Sequence, residues 1–228
     1  MSPKDGDSTP TARGEEKRQL ILDAALALFR DQGYEKTTMR AIAEASGVAV
    51  GNAYYYFASK EELVQEFYRE LVEEHAARCA PIFAAERSFE ERLRRVLTAK
   101  IELAQPFQEL SAVLFRTAAN PTSTLNPLSE SSAPPRLESR GIFEELVEGS
   151  RKRPPRDLRA VLPDLLWLLQ MGIIFFWIHD CSPKARRTHQ LIDISSKLMS
   201  RSLTLLDLPG AGGVRRLVIS AVRVLLER

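Results

Sequence analysis

The chain has 228 residues, 44% of them hydrophobic, enough for one large core or for a small and a larger domain. Charged residues make up 27% and the net charge is +2, so bulk charge singles out no partner. The start lacks a basic stretch followed by an apolar one, so no secretory signal is expected. The two cysteines, Cys79 and Cys181, argue against a disulfide framework and for a reduced, cytoplasmic setting.

Residues 1–13, MSPKDGDSTPTAR, are polar and read as a disordered tail. From Gly14 the pattern is helical: Leu20, Ala24 and Leu28 recur at four-residue spacing, as do Ile21, Ala25 and Phe29. Glu15 and Glu16 suit a first turn, and Gly33 suits the residue just past the end. In TMRAIAEAS, Thr38 is the expected N-cap; Met39, Ile42, Ala43 and Ser46 share one face and leave Arg40 and Glu44 outside. Gly47 marks a turn, a short helix runs from about Val50 to Phe57, and Ser59 with Glu62 forms a capping box for a fourth helix, to about residue 79. Two short helices joined by a tight Gly turn are a helix-turn-helix pattern.

Beyond this point, strand alternation is scarce. Ser88 with Glu91 makes a second capping box, for a helix to about Ala104, and Pro106 starts the next, to about Ala119. Residues 120–135, NPTSTLNPLSESSAPP, read as a long loop, mobile or functional. A helix follows around RLESRGIFEELVEG; RKRPPR is a basic hinge, with Pro155 suited to a helix N1 position. Leu165 to Ile178, LLWLLQMGIIFFWI, is the most apolar run, starting or kinked at Pro163. As a helix it is about 21 Å long against a hydrocarbon core of about 30 Å, so no membrane span is expected and burial on every side is. Pro183 opens a helix to about Leu206, and a last helix carries Val214, Leu217, Val218, Ala221, Val224 and Leu225 as one stripe. The fold class is all-α: a 14–63 head, the fourth helix as connector, and a larger helical domain over 80–228.

The four rings Tyr54 to Phe57 cannot all face one core. At about 100° per residue, Ala49, Tyr56 and Phe57 fall within about 60° of Ala53, while Gly51 and Tyr55 lie nearly opposite, flanked by Asn52 and Tyr54. With Ala53 and Phe57 inward, the outward face carries no acid and Val50 leads it. Such a face suits DNA: an asparagine bonds adenine, apolar groups meet a thymine methyl, and tyrosine hydroxyls reach phosphates. Gly51 removes bulk where the backbone approaches, and Lys60 adds charge beside a helix N-terminus. The same tyrosines equally suit packing against another part of the protein or a partner.

Residues 37–63, TTMRAIAEASGVAVGNAYYYFASKEEL, resemble the DNA-binding signature of the TetR family of bacterial transcriptional regulators, with TT, IAEASGV, YYYF and KEEL in the family's order and spacing. LILDAALALFRDQGYEKTT is similar to the family's first helix, so the likeness covers roughly 14–65. It implies a homodimer on a palindromic double-stranded operator, with Thr38 and Lys60 holding phosphates and Arg40, Val50, Asn52, Tyr54 and Tyr55 at or near the groove. Three positions depart from the pattern: Ala49 replaces the usual capping Ser or Thr, Asn52 stands where Thr is common, and Ala53 where a larger aliphatic is common. Residues 1–60 hold eight Lys/Arg and eight Asp/Glu, so the head is neutral and a modest salt dependence is expected.

The resemblance also implies a C-terminal domain that dimerises and encloses a small, largely apolar ligand, releasing a repressor by swinging the fourth helix and changing the spacing of two recognition helices, which sit about 34–36 Å apart on DNA. Trp167, Gln170, Met171 and Phe175 are the candidate pocket residues; ordinary core is the alternative for the apolar three. Gln170 needs a partner, which a ligand, an interface or another helix would supply. His75, His179 and His189 have no metal-ligand spacing, and no cofactor or metal is expected. With no nucleophile elbow, Walker loop or dinucleotide glycine motif, no enzyme is expected. A helical sensor without DNA binding is the alternative.

Overall fold

The computed structural model describes residues 12–226. Among them every regular element is helical, and the chain divides into two compact units, Met1–Phe67 and Tyr68–Arg228. The expected tail lies almost wholly outside the described residues; its last two positions, Ala12 and Arg13, are already helical.

The first unit holds α1 (Ala12–Gln32), α2 (Met39–Ala45), α3 (Val50–Tyr56) and the opening of α4 (Lys60–Ala85). Of the two stripes expected on α1, Ile21, Ala25 and Phe29 are buried together with Leu22, whereas Leu20 is exposed. Gly33 ends the helix at φ +90, a left-handed conformation that glycine adopts without Cβ strain. Phe29 and Tyr34 pack with ring centroids 5.1 Å apart. Around them Met39, Ile42, Ala43, Ala53, Phe57, Leu63 and Val64 complete a small core, each large side chain contributing about 1.5–3 kcal/mol by burial. Arg18 on α1 pairs with the buried Glu66 on α4 and lies 4.8 Å over the Phe57 ring. Burying that carboxylate is tolerable because the guanidinium meets it.

In the second unit α4 continues to Ala85, past the expected end near 79, despite Pro81 inside it. The ring leaves the Ala77 carbonyl without its usual helical donor. Then come α5 (Phe89–Ala104), a single 3-10 turn at Gln105–Phe107, α6 (Gln108–Ala118), α7 (Ala133–Glu148), α8 (Arg156–Arg159), α9 (Leu162–Ile178), α10 (Arg186–Leu206) and α11 (Gly212–Leu226). Ser88 caps α5 by accepting from Glu91 N–H at 3.4 Å, but Glu91 does not reach back. It pairs instead with Arg94, and Glu86 takes the Ser88 and Arg87 N–H groups. The expected 120–135 loop is shorter, because Pro134 and Pro135 sit in the first turn of α7, where a missing N–H is harmless. It is a chain of turns with Leu125 buried, tied down by Arg136 donating to the carbonyls of Pro127 and Ser129. Pro155 is the N-cap of α8 rather than its first helical residue.

The core of this unit gathers Leu93, Leu97, Ile101, Phe143, Leu146, Leu166, Trp177 and Ile192 from α5, α7, α9 and α10. Arg92, also buried, fastens it: its guanidinium donates to the carbonyls of Glu86 (2.5 Å), Phe83 (2.7 Å), Leu146 (3.2 Å) and Glu145 (3.3 Å), the open ends of α4 and α7. Gln108 does the same for α9, donating to Trp177 O at 2.9 Å.

Two expectations fail here. The apolar helix α9 is not buried on every side: Leu162, Leu166, Trp167, Gln170, Ile173 and Trp177 face inward, Met171 is half-buried, and Phe175 is 47% exposed, its ring in tilted contact with those of Phe115 and His179. A single copy of this chain lacks the layers to enclose a helix with no polar side. And α10 starts at Arg186 instead of Pro183, because Lys184 and Ala185 adopt left-handed φ of 53 and 52. Asp180 holds that bend, accepting from Ser182 N–H, Thr188 N–H and Thr188 Oγ1. Burial would raise its carboxyl, but these three hydrogen bonds from Thr188 and Ser182 outweigh it and hold Asp180 below the usual carboxylate range. No helix among the described residues is long and apolar enough to cross a membrane.

Candidate nucleic-acid interface

The turn between α2 and α3 is set by backbone chemistry. Gly47 sits at φ +69, Val48 N–H donates to Ala43 O at 3.0 Å, and Gly47 N–H donates to Glu44 O at 3.2 Å. This 6→1 and 5→2 pair is a Schellman ending, which frees the chain to leave α2 sharply and start α3 within three residues. Thr38 opens α2, its Oγ1 accepting from Ala41 N–H at 3.2 Å. The hydroxyl proton remains for an outside acceptor. Ala49 opens α3 with no side-chain cap, as its missing hydroxyl requires.

On α3 the rings divide as helical geometry dictates. Ala53 and Phe57 are fully buried and Tyr56 is half-buried. Tyr54 is 52%, Tyr55 82% and Val50 41% exposed, with Gly51 and Asn52 also on the surface. Tyr55 stands edge-on to Tyr56, centroids 5.2 Å apart, so its ring is braced while its face and hydroxyl stay open. A methyl at position 53 lets α3 lie close on the core; a larger side chain there would push the outer face away.

Arg40 is exposed on α2, beside this surface in sequence order and free of any carboxylate partner among the described residues. Lys60 is more committed than its sequence position implied. Its Nζ donates to Tyr34 O at 2.7 Å and stands 4.4 Å over the Tyr34 ring, while Tyr34 Oη donates to Glu61 at 2.6 Å. An ammonium has three donors, so two remain.

Residues 21–67 match the family described as bacterial regulatory proteins, tetR family, and residues 92–210 match the tetracyclin repressor-like C-terminal domain. The chain belongs to the TetR family of bacterial regulators. It is 29% identical over 175 residues to the transcriptional repressor KstR2 of Mycolicibacterium smegmatis, covering 74% of this chain and 82% of that one. It is 32% identical over 176 residues to the transcriptional regulator YhgD of Bacillus subtilis, covering 76% and 90%. Its fold is similar to that of the regulator FadR of Bacillus subtilis in complex with stearoyl-CoA, with a TM-score of 0.60 at 17% identity over 76% of this chain and 96% of that one.

In this TetR-family chain the four residues expected around a ligand do not converge. Trp167 and Gln170 are buried on α9; Gln170 Nε2 donates to Ser139 Oγ at 3.3 Å, and its Oε1 has no partner among the described residues. Phe175 points away from that interior. Sequence reasoning gave His75 no metal-ligand role and did not single out Lys100; both are buried polar groups. The signal was present: His75 shares the inward face of α4 with Val72 and Cys79, at three- and four-residue spacing, and Lys100 follows Val96 by four on α5.

Proposed function

We propose that this chain is a dimeric, DNA-binding transcriptional repressor released from its operator by a small molecule. The observation that carries the reading is the outer face of α3, an acid-free surface of Val50, Gly51, Asn52, Tyr54 and Tyr55 held over a fully buried Ala53 and Phe57. Adjacent large rings left in water form the kind of exposed apolar patch that marks an interaction site. Seated in a major groove, Asn52 bonds a base edge, Val50 and the tyrosine rings meet thymine methyls, and the tyrosine hydroxyls, Thr38, Arg40 and Lys60 hold phosphates.

A dimer is supported by α10 and α11. Ile194, Leu198 and Leu205 line one face of α10, and Val214, Leu217, Val224 and Leu225 one arc of α11, all more than half exposed. Two copies joined through these faces bury them and set two recognition helices one DNA turn apart. Ligand binding is supported by the unmet Gln170 Oε1 inside the second unit, and by the stearoyl-CoA bound to a regulator of the same fold. A ligand that prefers a conformation in which α4 has moved lowers operator affinity by that preference.

The test is capture of fragments of the source genome followed by a gel shift on the recovered site. Tyr54→Ala with Tyr55→Ala is expected to abolish retention while leaving a folded dimer by circular dichroism and sedimentation. Retention equal to wild type overturns the reading.

A further inference from the structure

Lys100 is 8% exposed, and no described residue gives it an ion pair or hydrogen bond. Lysine is almost never buried unpaired, because a lone interior charge is paid for in stability. His75 on the facing helix is fully buried. Its Nε2 lies 3.0 Å from Val96 O, and a carbonyl only accepts, so the proton is on Nε2 and Nδ1 is a bare acceptor. That Nδ1 has no partner among the described residues. Lys100 follows Val96 by one turn of α5, and His75 on α4 meets the Val96 carbonyl, so the two polar groups share the α4–α5 seam with Cys79, four residues after His75. The one carboxylate felt there, Glu145, acts on Cys79 and is itself exposed. Burial presses the same way on both groups: it drives His75 down to about 3, with Lys100 adding to the effect, and lowers Lys100 to about 8. The interior thus offers a donor lacking an acceptor beside an acceptor lacking a donor.

We propose that Lys100 and His75 receive the carboxyl group of the effector, so that this regulator answers to an organic acid. The effector's carboxylate accepts from Lys100 Nζ and gives the cation its missing counter-charge; one proton taken up from solvent on binding then sits between its second oxygen and His75 Nδ1. A hydroxyl offers the same donor and acceptor but no charge, which makes it the weaker fit. The site rests on the effector-binding role proposed above. It also places the acid against α4 nearly two turns before Pro81, close to the Ala77 carbonyl that lacks its helical donor.

The test is thermal melting of the full chain with sodium n-alkanoates from butanoate to hexadecanoate, with benzoate, and with the matching alcohols. At least one acid is expected to raise the melting temperature by about 5 °C at a hundred times its dissociation constant, and its alcohol by less than half as much. Lys100→Met is expected to melt higher than wild type without ligand and to lose the acid response. If Lys100→Met does not fold, Lys100→Gln carries the same comparison. The proposal is overturned if no acid shifts the melt, if an alcohol matches its acid, if the variant keeps the response, or if the variant melts several degrees lower because the ammonium was structural. Gel shifts separate the readings: Lys100→Met should still be retained on operator but no longer released by the acid. A wild type that binds no DNA yet responds to the acid defeats only the repressor reading.

Discussion

Gly149→Ala sets two effects against each other. Gly149 closes α7 at φ −82, a conformation alanine accepts, so on backbone grounds the change should stabilise by about 0.4–1 kcal/mol. The added Cβ, however, would stand 2.3 Å from Arg92 Nη1, 2.9 Å from Nη2 and 3.0 Å from Cζ. A free arginine tip would swing aside. This one is buried and bonded to four carbonyls, and Nη1 alone serves Glu145 and Leu146. Losing those two charge-assisted bonds costs about 3–6 kcal/mol in total at about 1.5–3 each, so even toward the low end the clash wins by about 3 kcal/mol. For a chain of this size that lowers the melting temperature by about 6–12 °C. Urea titration followed by tryptophan fluorescence measures it as a lower midpoint at unchanged slope. Arg92→Met supplies the control: in that background the new methyl meets no guanidinium, and Gly149→Ala should be neutral or stabilising. A variant as stable as wild type, or the same loss in both backgrounds, refutes the account.

Three further outcomes are expected. Gly47→Ala forces a side chain into φ +69 and should destabilise the first unit by about 1–2 kcal/mol, seen as faster amide exchange in α2 and α3 with α5 unchanged. Ala49→Ser supplies the cap that α3 lacks and should stabilise by about 1 kcal/mol in urea titrations; no gain would mean that the first turn of α3 is held by something other than capping. The Asp180 carboxyl is depressed in the folded chain, so its contribution is complete above the ordinary aspartate value and is lost as pH falls below about 4. Asp180→Asn should therefore melt lower at pH 7 and show a shallower decline between pH 4 and 3; parallel declines would sink this assignment.

The all-helical class and most helix starts were legible because they rest on local chemistry. Ser59 and Ser88 announce helix N-termini wherever the chain goes, and Gly47 announces a turn. The division of the α3 rings was legible too, since a 3.6-residue period leaves little choice once Ala53 is inward. What escaped were outcomes decided by tertiary partners. Leu20 and Leu22 are the same residue type two positions apart, and only the packing of α1 decides that Leu22 is buried and Leu20 exposed. Phe175 looked like pocket because its helix is apolar all round, yet hydrophobicity says only that a face will be covered, not by what. His75 was read only for metal-ligand spacing, and Lys100 was not singled out, because an isolated ionisable residue carries no sequence mark of burial. Arg92 carries no sequence mark of its role, because its partners are main-chain carbonyls contributed by α4, the turn before α5, and α7.

If the apolar faces of α10 and α11 join two copies as proposed, stability becomes a function of how much protein is in the tube. If folding and pairing are one event, each tenfold dilution takes away about 1.4 kcal/mol, and melting temperature falls steadily along a dilution series. A cell holding few copies of such a protein would then set, through expression level alone, what fraction of the chains is folded enough to act.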